Sequence, residues 1–324
     1  MHTTPLPAVP APEFALTPGE SLAGGLRRLS VAQFEHALEG FNDPAVPSDV
    51  AVHEMRKSTK RVRALLRMVR AGIGEKVYHF ENDALRDTSA MVAAVRDGAV
   101  TVKSVERLRD RYKRLLAPGV FQTTHERLKQ RHQRLASRVL EDDEILGQIQ
   151  NVLYKARSRY AAWPVDPADP RSGKYVLSHR FAAIGPGIGA TYSQGRDEMK
   201  VSFDQPLSEN FHAWRKRVKY LRHQMEIVAP LWWEVVGGLA VSLDTLGEVL
   251  GEEHDLAELT RLATSVPDLV PDPDERSLLV SLAHHRRQEL QGAARVMGSR
   301  IYAESPEQFT RRLGAYWRAW TASS

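Results

Sequence analysis

From Glu20 to the end of the chain, apolar residues recur three and four positions apart, the spacing of helices that bury one face. The strict alternation of a half-buried strand is absent, so the pattern predicts an all-α fold. Clusters of Gly, Pro, Asn and Asp mark the expected breaks. They fall at Asn42-Asp43-Pro44, Gly72 to Gly74, Asp97-Gly98, Pro118-Gly119, Pro164 to Gly173, Gly185-Pro186-Gly187, Pro206, Pro230, Pro267 to Pro273 and Pro306. The breaks divide the chain into about a dozen amphipathic segments. Pro5, Pro7, Pro10, Pro12 and Pro18 make residues 1–19 read as a flexible lead-in. Ser48 and Ser208 stand where N-caps are expected for two strongly basic helices.

Those two helices are sharply two-faced. At about 100° per residue, Arg56, Lys57, Lys60, Arg63 and Arg67 fall within about 80° of His53. Val52, Met55, Thr59, Val62, Leu66 and Val69 lie on the other side. In the second helix, His212, Arg215, Lys216, Lys219, Arg222 and His223 share one face, with Tyr220 at its edge. Phe211, Trp214, Val218, Leu221, Met225 and Val228 share the other. An ordinary surface helix mixes both signs of charge to gain pairs three or four residues apart. Residues 53–70 hold seven Lys or Arg and one acid, Glu54, which lies off the basic face. Crowded like charge of this kind points to an anion-binding face rather than a merely solvated one. Side chains at i, i+3, i+4, i+7 and i+10 span roughly 15 Å of axis. That exceeds one phosphate and suits a chain of them, gripped by arginine forks and lysine point charges.

The two helices also align with each other. Val52-His53-Glu54-Met55-Arg56-Lys57 matches Phe211-His212-Ala213-Trp214-Arg215-Lys216 at an offset of 159 residues, and Lys60 and Arg63 continue onto Lys219 and Arg222. Arg96-Asp97 matches His254-Asp255 at an offset of 158, and Tyr160 to Trp163 matches Trp317 to Trp320 at 157. The reading is an internal duplication, with halves at 20–163 and 178–321 and a linker at 164–177.

Composition narrows the classes. The 324 residues carry a formal net charge of +5, with 42% hydrophobic and 26% charged residues, as in a soluble globular protein. The absence of cysteine excludes disulfides, thiolate catalysis and zinc–cysteine sites. Residues 1–18 lack a basic and then apolar leader, and no apolar run approaches the roughly 20 residues that span a bilayer. The expectation is a cytoplasmic protein with no membrane partner.

At this point the sequence resembles the CHAD family, the conserved histidine α-helical domain. The resemblance rests on His53-x-x-Arg56-Lys57-x-x-Lys60-Arg61-Val62-Arg63 and on His212-x-x-Arg215-Lys216-x-x-Lys219-Tyr220-Leu221-Arg222. A second family-like stretch runs from Leu246-Gly247 through Gly251 to His254-Asp255-Leu256, with a weaker counterpart in Val95-Arg96-Asp97 that lacks the Leu-Gly and the histidine. The resemblance covers about residues 16–321. It implies two antiparallel helical bundles related by a pseudo-twofold axis, a central basic pore that binds inorganic polyphosphate, and location at polyphosphate granules. The E-x-E-x-K motif of the triphosphate-tunnel enzymes fused to some members is absent.

The expected polyphosphate-binding set is therefore His53, Arg56, Lys57, Lys60, Arg63, Arg67, Arg96, His212, Arg215, Lys216, Lys219, Tyr220, Arg222, His223 and His254. Tyr192, Arg196 and Lys200 join it because they share a helical face just before the second basic helix. Asp97 and Asp255 are candidates for holding a neighbouring cation in pose. No cofactor and no catalytic role are expected. Two rivals stand beside this reading. A metal-dependent phosphohydrolase could use the His254-Asp255 pair, yet the arginines around its possible partners His53, His212 and His284 would repel a cation. A nucleic-acid binder would want aromatics interleaved with the basic face, and only Tyr220 is placed for that. Gly185-x-Gly187-x-Gly189 lacks the preceding strand and the spacing of a dinucleotide loop. The tryptophans read as core or inter-bundle packing.

Overall fold

Helix ends fall largely where local chemistry sets them. The computed structural model describes residues 13–43, 45–165 and 177–323. In chain order the helices are α1 (Leu22–Asn42), α2 (Ser48–Ile73), α3 (Glu75–Met91), α4 (Ala93–Tyr112), α5 (Gln122–Leu140), α6 (Asp143–Ala161), α7 (Gly185–Asp204), α8 (Ser208–Val228), α9 (Gly238–Ser265), α10 (Pro273–Ile301) and α11 (Pro306–Ala322). No strand occurs among the described residues, so the fold is all-α. Asp142, Asp272 and Ser305 cap α6, α10 and α11 with their side chains, and Gly74 ends α2 with a φ of 78° that a side chain would resist. Pro186, Pro273 and Pro306 sit in first turns, where the missing N–H costs nothing.

Several local expectations need correction. Asp97-Gly98 is not a break but lies inside α4. There Gly98 lets α5 come close, since a Cβ on it would meet His132 Nδ1 at 3.1 Å. Ser48 and Ser208 are first helical residues and do not cap, the N-caps being Pro47 and Leu207. The Ser208 hydroxyl instead accepts a 2.9 Å bond from Arg287. The lead-in also ends earlier than residue 19. Phe14, Ala15 and Leu16 are buried, and the Leu16 N–H donates to the Ile227 carbonyl at 2.9 Å. Three apolar side chains together outweigh the proline bias of the preceding stretch. Among the tryptophans, Trp214 and Trp317 are core, whereas Trp232 is 48% exposed.

The apolar residues form two clusters, and both draw on each side of the 164–177 stretch, most of which lies outside the described residues. The larger joins α1, α2, α3 and α6 to α7, α8, the start of α9 and α11. The smaller joins Val105, Leu108 and Leu128 of α4 and α5 to Leu256, Leu259, Leu279 and Ala283 of α9 and α10. Both clusters are shared between the two sequence halves. At the centre α2 packs against both α7 and α8. Gln224 of α8 is fully buried there, donating to the Ala64 carbonyl at 3.2 Å and to Thr191 Oγ1 at 3.1 Å.

Of the glycines in Gly185-x-Gly187-x-Gly189, Gly187 serves this packing, while Gly185 makes room for Phe181 and Gly189 for Thr310 of α11. A Cβ on Gly187 would land on the backbone carbonyls of Arg67 and Met68, so only glycine lets α7 lie this close to α2. Gly187→Ala is expected to lower stability by about 1–3 kcal/mol, the usual range for overpacking. Gly147→Ala in α6, where a Cβ meets nothing within 4 Å, is expected to be neutral or stabilising by up to about 1 kcal/mol. Urea unfolding midpoints of the two variants check the contrast.

Candidate functional site

The apolar stripes of α2 and α8 face the large cluster, which turns their basic sides toward each other and toward α4 and α9. A cleft of about 600 Å³ lies between them. Its lining contains Arg56, Lys60, Arg63 and Arg67 from α2, and His212, Arg215, Lys216, Lys219, Tyr220 and His223 from α8. Arg96 and Asp97 from α4 and His254 from α9 complete it, together with Arg86 of α3 and Arg217 of α8. Twelve of the eighteen expected residues are thereby brought together. Arg86 and Arg217 were not expected. Arg217 aligns with Ser58 and lies off the basic face of its own helix, so neither the repeat nor the wheel flags it.

Six expected residues lie elsewhere. Tyr192 is wholly buried, stacks on Phe309 at 4.1 Å and donates to the Ile301 and Glu304 carbonyls at 3.1 Å, so it is a core residue. Burial pushes its phenol up to about 12. Arg196 and Lys200 are exposed on α7 away from the cleft. Arg222 bonds Asp244 of α9 at 2.6 Å, which its own helix gave no hint of, and Glu226 at 3.0 Å, its i+4 neighbour on the same helix. His53 is exposed and outside the lining, and Lys57 is exposed and pairs with Glu54 at 3.2 Å. A wheel shows which way a side chain points from its own helix axis, not which sector meets the neighbouring helix.

Each cleft cation has a defined seat. α2 and α3 run antiparallel, and α3 holds the α2 arginines in order. Arg56 donates to the Ser89 carbonyl at 2.5 Å, Arg63 to Asn82 Oδ1 at 3.1 Å, and the Arg67 guanidinium lies 5.9 Å from the Tyr78 ring. Arg67 also covers the Tyr220 ring at 3.8 Å, so that ring face is occupied rather than offered for stacking. On α9, Gly247 and Gly251 form a flat track one turn apart. A Cβ on Gly251 would meet Arg215 Nε at 3.5 Å, and one on Gly247 would meet Lys219 Cε at 3.8 Å. The two long side chains lie along bare helix backbone, and this is what the Leu246-Gly247 to Gly251 stretch does physically. The His212 and His254 rings lie 4.2 Å apart.

The cleft gathers positive charge with little to balance it. Asp97 is the only carboxylate in the lining, and it lies 3.6 Å from Arg96. Asp255 sits behind, its carboxyl raised by burial against the pull of Arg215, Arg96, Arg107 and Lys219. Burial, then the neighbouring cations Lys219, Arg96, Arg56 and Arg215, lower the Lys60 ammonium to about 7. Burial and then Arg215 chiefly lower Lys219 to about 8, although Glu248 opposes this. Burial, His212 and Arg215 hold His254 down to about 3, and burial with Lys216 and Arg215 lowers His212. The Nε atoms of Arg56, Arg215 and Arg217 and Nδ1 of His212 are buried without a hydrogen-bond partner. A buried donor left unpaired costs about 1–3 kcal/mol, and an incoming anion offers relief for the charge and the hydrogen-bond deficit alike.

These shifts carry a sign that can be measured. Lys60 titrates near 7 when folded and near its ordinary 10.5 when unfolded, so the unfolded chain holds more protons across that interval. Stability of the protein alone therefore rises as pH increases from about 7, and the cost of Lys60 is fully present below that pH. Lys60→Gln is expected to raise the melting temperature at pH 7 and to flatten its rise toward pH 9. Melting curves across that range check it. A wild-type profile that falls over the interval would contradict the burial of Lys60 among cations.

Comparison with known proteins identifies the family and the fold. The CHAD domain profile matches residues 32–264 of the chain, a span that includes both basic helices and every residue lining the cleft. No functionally curated protein matches. Among solved structures, PptA from Streptomyces chartreusis superposes with a TM-score of 0.60 at 17% sequence identity, covering 88% of this chain and 100% of that one, a likeness of fold. With its two basic signatures on α2 and α8 and a profile match over most of its length, the chain belongs to the CHAD-domain family.

Proposed function

We propose that this protein captures inorganic polyphosphate, without chemistry, in the cleft between α2 and α8, and that this capture places it at polyphosphate granules. The observation that carries the proposal is the convergence of Arg56, Lys60, Arg96, Arg215 and Lys219 in one recess whose lining holds one carboxylate. A linear polyphosphate has a negative charge on every unit and no bulky side groups. It can enter a recess of about 600 Å³, a volume far too small to enclose a duplex. Arginines supply paired donors to successive phosphates, and Lys60 and Lys219, poised near neutrality, take up protons as the anion enters. Affinity comes from many moderate contacts on one flexible ligand, so it grows with chain length and weakens with salt. Family membership supports the reading, as does the scarcity of carboxylates that could hold a hydrolytic metal within the lining.

Titration with long-chain polyphosphate at two salt concentrations tests the proposal. Each charge-assisted contact is worth about 1.5–3 kcal/mol. A single Arg215→Ala substitution is therefore expected to weaken binding at least about ten-fold without abolishing it. The combination Arg56→Ala, Lys60→Ala, Arg215→Ala and Lys219→Ala is expected to lose at least about a hundred-fold while retaining its helical circular dichroism. Equal binding by the fourfold variant would move the site away from the cleft. Displacement by duplex DNA at comparable charge concentration would favour the nucleic-acid reading instead.

A further inference from the structure

We infer that the phosphate chain leaves the cleft over the outer face of α4, where Lys103 and Arg107 form a second, chain-length-selective subsite. The inference rests on the polyphosphate reading of the cleft and extends it to a surface outside its lining. Arg96, Lys103 and Arg107 lie seven and eleven residues apart, which puts them on one stripe of α4 about 16 Å long. Arg96 is the cleft end of that stripe. Lys103 and Arg107 are exposed, and among the described residues neither has an acid within ion-pair distance. Continuity with the cleft is supplied by Asp255 of α9, whose carboxyl lies in the field of Arg215 and Lys219 inside the cleft and of Arg107 outside it.

The nearby acids do not neutralise the stripe. Asp97 leans on Arg96 at 3.6 Å, and Glu106 is bonded to His125 of α5 at 2.8 Å. Asp255 lies behind the cleft, and Asp110 lies one turn beyond Arg107 at the far end of the stripe. Among the other cations around the cleft, Lys216 of α8 is likewise exposed and without an ion pair to a described residue, but it already belongs to the lining; Arg86, Arg217 and Arg67 are engaged. Arg86 on α3 bonds Asp83 and Asp87, each at 2.9 Å, and Arg217 lies 3.9 Å from Glu198. At the far end of α2, Arg67 is taken up by the Tyr220 and Tyr78 rings. Besides Lys216, which stands beside His212, the uncompensated cations on the approach lie on the α4 side, beyond Arg56 and Arg96. A flexible anion that fills the cleft and has units to spare is drawn out along α4.

The test compares tripolyphosphate, short enough to be held within the cleft, with long-chain polyphosphate on the full chain. For Lys103→Ala/Arg107→Ala, affinity for the long chain is expected to fall at least about five-fold, and affinity for tripolyphosphate to stay within about two-fold. The control is Arg109→Ala/Lys113→Ala, which removes the same charge from another face of the same chain region and is expected to leave both affinities within about two-fold. An unchanged melting temperature for both double variants keeps folding out of the comparison. Unchanged long-chain binding by Lys103→Ala/Arg107→Ala, equal loss for both ligands, or an equal long-chain loss in the control would each overturn the subsite while leaving the cleft intact. Wild-type protein that binds neither ligand would overturn the cleft reading and the subsite with it.

Discussion

The structure depends on one constraint, the burial of two apolar helix stripes that face the same core. Once Val62, Leu66 and Val69 of α2 and Trp214, Val218 and Leu221 of α8 are buried, the opposite sides of both helices have no freedom to separate. Their arginines and lysines are pressed into a common recess. Hydrophobic burial, at roughly 25 cal/mol per Å², thus supplies the free energy that holds like charges together. The electrostatic cost appears as the lowered pKa of Lys60, Lys219 and His254 and as buried donors without partners. A cleft built in this way favours a polyanion over neutral ligands, because only an anion relieves both costs at once.

Much of the fold was legible in the sequence because its signals are local. The helical period, the proline-led first turns of α10 and α11 and the breaks at Gly74 and Pro118-Gly119 each follow from chemistry within a few residues. The errors arose where tertiary contact overrides that chemistry. Gly98 looked like a stop and instead gives α5 room, and Phe14 to Leu16 looked like part of a loose lead-in and instead close the core. The sharing of both clusters across 164–177 could not be read from the sequence, since a repeat offset says nothing about which copies pack together.

The candidate site divides in the same way. Arg56 with Arg215 and Lys60 with Lys219 occupy matching positions of the repeat and meet in the cleft. The aligned Arg96 and His254 both line it too, with unlike side chains, and elsewhere the match fails. His212 packs on His254, whereas the aligned His53 is exposed, and Arg63 lines the cleft while the aligned Arg222 is held by Asp244 and Glu226. The departures follow partner helices: α9 brings a histidine and two glycines to its side of the cleft, and α4 brings Arg96-Asp97. Tyr192 was placed among cations because Arg196 and Lys200 share its face, but an aromatic ring gains more from the pocket made by Phe309 and Tyr302.

Lysine footprinting with an amine-reactive reagent and mass spectrometry tests the central claim most directly, because it reads the anion's location residue by residue. With long-chain polyphosphate bound, Lys60 and Lys219 should lose their reactivity, while Lys57 and Lys200, exposed outside the cleft, should keep theirs. Bound polyphosphate that leaves Lys60 and Lys219 as reactive as before, or that shields Lys57 and Lys200 in their place, would contradict the account.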